Sequence, residues 1–416
     1  MPDTKRILLV NNFYAPHVVG GAEIVVQNLA GWLAAEGHDV MVVATCGPGQ
    51  NEAPDRSAGG VRVVRFFPTN LWWNYERFQS GDSRGAVRRL IWNLRDQWNF
   101  DTLQRFDAIL RDFAPDVVHT HNLKGFSPAV WTAARQHGVP ILHTAHDYHL
   151  ICNRGVMLRG VAACATRCTS CWAGSLPRRM LAHAVDALVA PSHFVLDRHL
   201  EAGVAGRSGS HVIRNGIHGA LGRKRRRAGP LRLLFLGQVR REKGAELLGE
   251  MLAKLPRGAA VLEVAGTGAA LPMLEALAAR DERITLSGFL SGAAKQAALE
   301  RADVLLFPSL WAENAPLSLA EGMRAGLPAI ASAIGAVPEF VAAGRTGLLV
   351  PPGDAQAMAQ AVIRLAEEDG LLELLSEGAR SASRALTVEV MGQAYASLYD
   401  EVLAAAAARY RAVPAA

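Results

Sequence analysis

The chain has 416 residues, half of them hydrophobic and 20% charged, with a formal net charge of +6. That length asks for two domains rather than one core, and the balance excludes a disordered chain. No uncharged apolar stretch of about 18 residues occurs, which excludes a membrane-spanning helix, and the short run Ile7–Val10 is no signal-peptide core, so a cytoplasmic protein is expected.

Arg6 to Asn12 reads as a strand, Val18 to Gly21 as a Gly-rich turn, and Ala22 to Glu36 as a helix with Val25, Leu29 and Leu33 at helical spacing, stopped by Gly37. Strands follow at Asp39 to Thr45, Val61 to Phe66, Asp116 to His121, Pro140 to His143 and Ala187 to Ala190. Between residues 70 and 100 the rhythm is interrupted by Trp72, Trp73, Trp92 and Trp98 among Arg77, Arg84, Arg88, Arg89 and Arg95. Interleaved aromatic and basic residues on helices fit a surface for a lipid or glycan acceptor, and they equally fit an insertion packed on the core.

Four of the five cysteines crowd together as Cys152, Cys164, Cys168 and Cys171. The Cys-x-x-Cys spacing of the last pair lets two thiolates share a metal, so four could close a structural zinc site; a cytoplasmic location argues against disulfides. From Asn153 to Met180 there are five arginines (Arg154, Arg159, Arg167, Arg178, Arg179) and no carboxylate, and Arg223, Lys224, Arg225, Arg226 and Arg227 form a second basic run. Such patches attract phosphates, anionic lipid or nucleic acid, or are solvated loops. The second run, with Gly229-Pro230 behind it, marks a linker.

The pattern then restarts. Leu231 to Leu236 is a strand, Gly237 to Gly244 a turn and Ala245 to Lys254 a helix, with strands at Val261 to Ala265, Ile284 to Ser287, Val304 to Phe307, Ala329 to Ser332 and Gly347 to Val350. The Ala-rich stretch Val388 to Ala408 reads as a closing helix. Continuous apolar strands alternating with helices predict an α/β chain: two Rossmann-like domains facing each other over a deep cleft, with the ligand beyond the carboxyl ends of the strands. The expected division is 1–217, a basic linker 218–230, a second domain 231–387, and a helix 388–416 packing back toward the first domain.

The strongest chemical signal runs from Pro308 to Pro328. A strand ends there and a helix begins near Pro316, because proline suits a first helical turn. The amides of Ala315 to Leu319, with Leu317 among them and Pro316 lacking an N–H, then present the positive end of a helix dipole, a ready diphosphate site beside Asn314. Glu313 precedes the helix, placed to accept bonds from sugar hydroxyls, and Glu321 lies just over one turn in, placed to hold a ribose. As a glycosidase pair these carboxylates would sit about 12 Å apart, beyond the roughly 5–9.5 Å that such enzymes use.

Glu313 and Glu321 with seven residues between them, then Gly326-Leu327-Pro328, Gly335, Pro338-Glu339 and Gly347-Leu348-Leu349-Val350, resemble the donor site of glycosyltransferase family 4, whose fold is GT-B. Gly20-Gly21-Ala22-Glu23, Asp116 to His121, Pro191-Ser192 and Val212 to Gly216 resemble that family's other segments in order. The resemblance implies Gly20 and Gly21 near the donor phosphate and His121 against the transferred sugar. His119 shares its strand face. A polar cluster after the next strand, with His146 and Asp147, is a candidate for acceptor contact. In the family's turn an Arg and a Lys reach the diphosphate; here Lys243 matches, but Gln238 replaces the Arg and cannot cancel charge, which leaves Arg240 as a substitute out of register.

The resemblance implies transfer with retention from a UDP- or GDP-sugar to a glycan, lipid-linked or small-molecule hydroxyl. No cofactor is required for catalysis, and peripheral association with the inner face of the membrane is expected. The rivals are a sugar-nucleotide epimerase or phosphorylase of similar architecture and an NAD-dependent oxidoreductase. The latter lacks its Gly-x-Gly-x-x-Gly turn after the first strand, and no lysine announces a pyridoxal cofactor. A lipid or nucleic-acid binder ranks last, since the basic run sits in the linker away from any recognition element, and no specific nucleic acid is expected.

Overall fold

A computed structural model describes residues 4–411 apart from 51, 53, 58, 77–84, 160–161, 165, 220 and 223–227. Arg77, Arg84 and the run Arg223, Lys224, Arg225, Arg226 and Arg227 therefore lie outside the described residues. The chain divides into two compact units: Met1–Met157 with Thr166–Gly216 and Val388–Ala416, and Leu158–Ala165 with Ile217–Thr387.

The first unit holds an eight-stranded sheet built from β1 (Arg6–Val10), β2 (Asp39–Thr45), β3 (Asp55–Arg56), β4 (Arg62–Phe66), β5 (Val117–Thr120), β6 (Ile141–Thr144), β9 (Ala187–Ala190) and β10 (Gly209–Val212), in the order β10-β9-β6-β5-β1-β2-β4-β3. The short strands β7 (Leu158–Arg159) and β8 (Ala162–Ala163) form a separate hairpin. Every pairing in the large sheet is parallel except β3 with β4. Leu8 lies opposite Met41 on one side and Val118 on the other, and Ile7 to Val10 are all fully buried. Burial on both faces is why these strands are unbroken apolar runs. Strand β10, Gly-Ser-His-Val, is a half-buried edge and carries no such run, which is why the sequence does not announce it.

The second unit repeats the plan with six parallel strands: β11 (Leu231–Leu236), β12 (Ala260–Ala265), β13 (Ile284–Gly288), β14 (Val304–Phe307), β15 (Ala329–Ser332) and β16 (Gly347–Val350). Their order is β13-β12-β11-β14-β15-β16. Apart from the short edge strand β3, the chain in both sheets works outward from a central strand, then returns to its other side and works outward again. The strand order thus reverses between β1 and β5 in one unit and between β11 and β14 in the other, and ligands settle beyond the carboxyl ends of strands at such switch points.

The last helix, Val388–Arg411, belongs to the first unit. It meets the helix Gly21–Ala35 where Gly392 offers no Cβ; one built there would come within 2.2 Å of the Trp32 ring. Its inner face buries Val388, Met391, Tyr395, Leu398, Tyr399 and Val402, each large apolar side chain being worth about 1.5–3 kcal/mol of burial. Among the described residues no helix is long and apolar enough to cross a membrane.

Candidate functional site

The loops that leave β11 and β14 form the centre of the second unit's site. After β11 the chain turns through Gly237 to Gly244, with a single 3-10 turn at Arg241–Lys243. Gly244 has φ +75°, and a Cβ there would fall 2.0 Å from the Pro308 carbonyl oxygen, so only glycine lets this loop touch the one following β14. The two are stitched by Leu310 N–H donating to the Glu242 carbonyl at 2.9 Å. This brings Lys243 Nζ to 2.6 Å from Glu313 Oε1 and 4.6 Å above the Trp311 ring. The same carboxylate oxygen accepts from Ser309 Oγ at 2.7 Å.

Glu313 is buried, and a third loop locks its backbone. Gly335, at φ +59°, lies so close that a Cβ would come within 2.5 Å of the Glu313 nitrogen, and Ala336 N–H donates to the Glu313 carbonyl at 2.9 Å. The helix Leu317–Arg324 follows, with Pro316 at its N-cap and no acidic residue in its first turn. The amide of Leu319 donates to the Pro316 carbonyl, so the amides on offer to a ligand are those ahead of it. Glu321, in that helix, pairs with Lys295 Nζ at 2.7 Å. Lys295 stands on the helix Gly292–Arg301, and no motif in the sequence pointed to it.

Gln238 is exposed on the turn after β11, and Arg240, partly exposed, reaches Glu242 at 3.6 Å. Asn314, Ala315, Pro316 and Leu317 line the approach to the helix between Glu313 and Glu321. Lys243, Glu313 and the helix start are thus gathered at the switch point, whereas Glu321 is held by a different cation.

In the first unit strands β5 and β6 and the loops that follow them bring histidines together. His121 Nδ1 is 3.0 Å from His146 Nε2, their rings stacked 5.2 Å apart, and His121 Nε2 is buried with no hydrogen-bond partner among the described residues. Burial, then the neighbouring His119, His146 and His143, holds His121 neutral by pushing its pKa far down, and burial lowers His146 to about 4. His119 is engaged at both nitrogens, Nδ1 with the Tyr399 hydroxyl at 2.7 Å and Nε2 with Thr144 Oγ1 at 2.8 Å. Burial, with a smaller push from His146, lowers its pKa to about 3. It ties the last helix to the sheet and has no nitrogen left for an acceptor.

Asp147 Oδ1 accepts the His149 N–H at 2.8 Å, which closes its own loop. Gly20 caps the helix Gly21–Ala35, and its N–H donates to Glu23 Oε2 at 2.7 Å. Burial raises the Glu23 carboxyl above its usual range, opposed by that backbone bond.

The four cysteines do not form the expected zinc site. Among the described residues no three His, Cys, Asp or Glu side chains are gathered to hold a metal ion. Cys171 Sγ lies 3.7 Å from Cys152 Sγ and also meets the Cys168 side chain, whose Sγ is 3.2 Å from the Ser170 hydroxyl. The helix Thr169–Gly174 starts directly after Cys168 and carries Cys171, so the Cys-x-x-Cys spacing serves as a helix start.

Residues 19–219 match the model of glycosyltransferase family 4, and residues 230–368 that of glycosyl transferases group 1. The glycogen synthase of Mycobacterium tuberculosis is 30% identical over 424 residues, covering 96% of this chain and 95% of that protein. Among solved structures, sucrose-phosphate synthase from Thermosynechococcus elongatus is similar with a TM-score of 0.74 at 23% identity, covering 96% of this chain and 100% of that one. HepE from Anabaena, in complex with UDP, is similar with a TM-score of 0.70 at 17% identity, covering 95% and 100%.

Proposed function

This chain belongs to glycosyltransferase family 4 and has the GT-B fold, and from that premise we propose that it transfers a sugar from a UDP- or GDP-sugar to an acceptor hydroxyl with retention of configuration. One observation carries the reading: Lys243 and Glu313 meet at the switch point of the second unit, ahead of a helix N-terminus. UDP in the related HepE structure supports a nucleoside diphosphate as the group bound there.

In this reading the bond between the anomeric carbon and the diphosphate oxygen breaks, and the acceptor oxygen bonds to that carbon on the same face. The acceptor's proton passes to the departing phosphate oxygen, leaving a free nucleoside diphosphate. Such a step asks little of a general base. It asks for cancellation of charge on the leaving group, which Lys243 and the amides around Ala315 to Leu317 supply from the protein itself without requiring a metal ion. Binding the diphosphate draws the ammonium off Glu313, whose carboxylate then takes hydroxyls of the transferred sugar. Glu321, steadied by Lys295, takes the ribose, and Gln238 and Arg240 flank the diphosphate.

To His121 we assign a hydrogen bond from Nε2 to the transferred sugar, with His146 as the residue that orients its ring. Gly20 and Gly21 give a close backbone approach for the donor phosphate. His119 holds the closing helix. The acceptor we propose is a glycan or lipid-linked saccharide, met by the loop that carries His146 and Asp147.

The test is incubation of the protein with radiolabelled UDP- and GDP-sugars and membrane extract. Label should move into a larger glycan or lipid product with the donor's anomeric configuration kept. Inverted product would overturn the mechanism, and free sugar with no transferred product would replace transfer by hydrolysis.

A further inference from the structure

The helix Ala86–Gln97 carries a stripe that no described residue of the first unit covers. Val87, Leu90, Ile91 and Leu94 follow the i, i+3, i+4, i+7 spacing of one helix face, and they are 71%, 58%, 40% and 61% exposed. The opposite face is anchored: Trp92 stacks on Trp72 at 5.8 Å and donates its indole N–H to the Trp72 carbonyl, while Asp96 accepts the Gly125 N–H at 2.7 Å. That anchoring fixes which side faces out. The only carboxylate of the helix, Asp96, is buried, whereas Arg88 and Arg95 are exposed beside the stripe.

A second segment adjoins it. Gln97 Nε2 donates to the Gly174 carbonyl at 3.2 Å, bringing the end of this helix to the short helices Thr169–Gly174 and Leu176–Leu181. There Trp172, Leu176 and Met180, four residues apart in turn, are 57%, 41% and 62% exposed. The stretch from Asn153 to Met180 contains no carboxylate at all. Exposed apolar side chains at helical spacing, rimmed by arginine and with no exposed carboxylate on these helices themselves, although the exposed Glu201 stands beside Trp172, are the make-up of an element that lies in a bilayer interface rather than against water.

We propose that the outer face of Ala86–Gln97, continued by Trp172, Leu176 and Met180, docks the first unit onto a lipid bilayer bearing anionic headgroups. The apolar stripe enters the boundary between headgroups and acyl chains, and Arg88 and Arg95 lie at phosphate level. The chemistry of transfer is not part of this inference.

The test is cosedimentation of the full chain with phosphatidylcholine vesicles, with and without about 30% phosphatidylglycerol. Wild type should pellet about tenfold more with the anionic vesicles, and added salt should release it. The double variant Leu90→Glu, Leu94→Glu should stay in the supernatant with an unchanged melting temperature, since both side chains are exposed in the free protein. Equal binding to both vesicles, no binding, or binding that survives the double substitution would overturn the proposal. So would a concentration-dependent dimer of wild type that the variant abolishes, because a second copy would then be the occupant. UDP-induced stabilisation, measured in parallel, reports on the donor site separately.

Discussion

Lys243 and Glu313 are seventy residues apart in sequence, yet Nζ and Oε1 lie 2.6 Å from each other. They come from the two loops that flank the strand-order reversal between β11 and β14, which is the place where an α/β sheet offers its ligand crevice. The pair joins a cation that suits a phosphate to a carboxylate that suits sugar hydroxyls, the two roles proposed for them above.

Lys243→Met should lower the transfer rate by about 10²–10³-fold, the usual loss when one stabiliser of developing charge is removed. Glu313 then keeps the Ser309 hydroxyl but loses its counter-charge, so the melting temperature should fall by a few degrees as well. Steady-state kinetics beside thermal unfolding separates the two effects. A variant with full activity contradicts the assignment.

Gly335→Ala should disable the site without touching a charge. The added methyl meets the Glu313 backbone at 2.5 Å in a backbone conformation that alanine resists. Glu313 has to move, and its distance from Lys243 grows. We expect at least about a tenfold loss of transfer and a destabilisation of roughly 1–3 kcal/mol. A crystal structure of the variant with Glu313 unmoved would refute the mechanism of the loss.

Much of this site was legible in the sequence because its parts are contiguous. The run from Pro308 to Pro328 holds a strand end, Glu313, a helix-starting proline and Glu321 within one loop and one helix. Lys243 was legible because the turn from Gly237 to Gly244 resembles the family's diphosphate-binding turn. What stayed hidden is pairing between distant elements: Lys295 with Glu321, and Tyr399 with His119, which are 280 residues apart. Side-chain partners brought together by strand order leave no local pattern. The cysteines misled for another reason: close spacing brings Cys152, Cys168 and Cys171 near one another without gathering a metal-holding set among the described residues.

Acid should unfold the first unit over a definite window. His119 and His146 titrate at about 3 and about 4 in the folded chain, and His121 and His143 are also held far below the ordinary histidine value by burial. Above pH about 6.5 both folded and unfolded histidines are neutral, so nothing changes. Below it the unfolded chain binds protons that the folded chain refuses, and stability falls with pH, by up to about 1.4 kcal/mol per pH unit for each such histidine, until the folded values near 4 and 3 are reached. Melting temperature against pH reads this directly; a flat profile between pH 6.5 and 4.5 would contradict it.

Tyr399→Phe removes the hydroxyl that meets His119 and leaves a buried ring nitrogen unpaired. The expected cost is about 1–3 kcal/mol with little change in the transfer rate, because the pair anchors the last helix and touches no substrate. Chemical denaturation of the variant, with its kinetics, tests both halves.

The most direct test of the donor site is a set of melting curves with UDP, GDP and NAD for wild type and for Lys243→Met. UDP or GDP should raise the wild-type melting temperature, NAD should not, and the substitution should remove most of the rise. A rise with NAD alone, or an undiminished response to the diphosphates in Lys243→Met, would contradict the donor-site assignment.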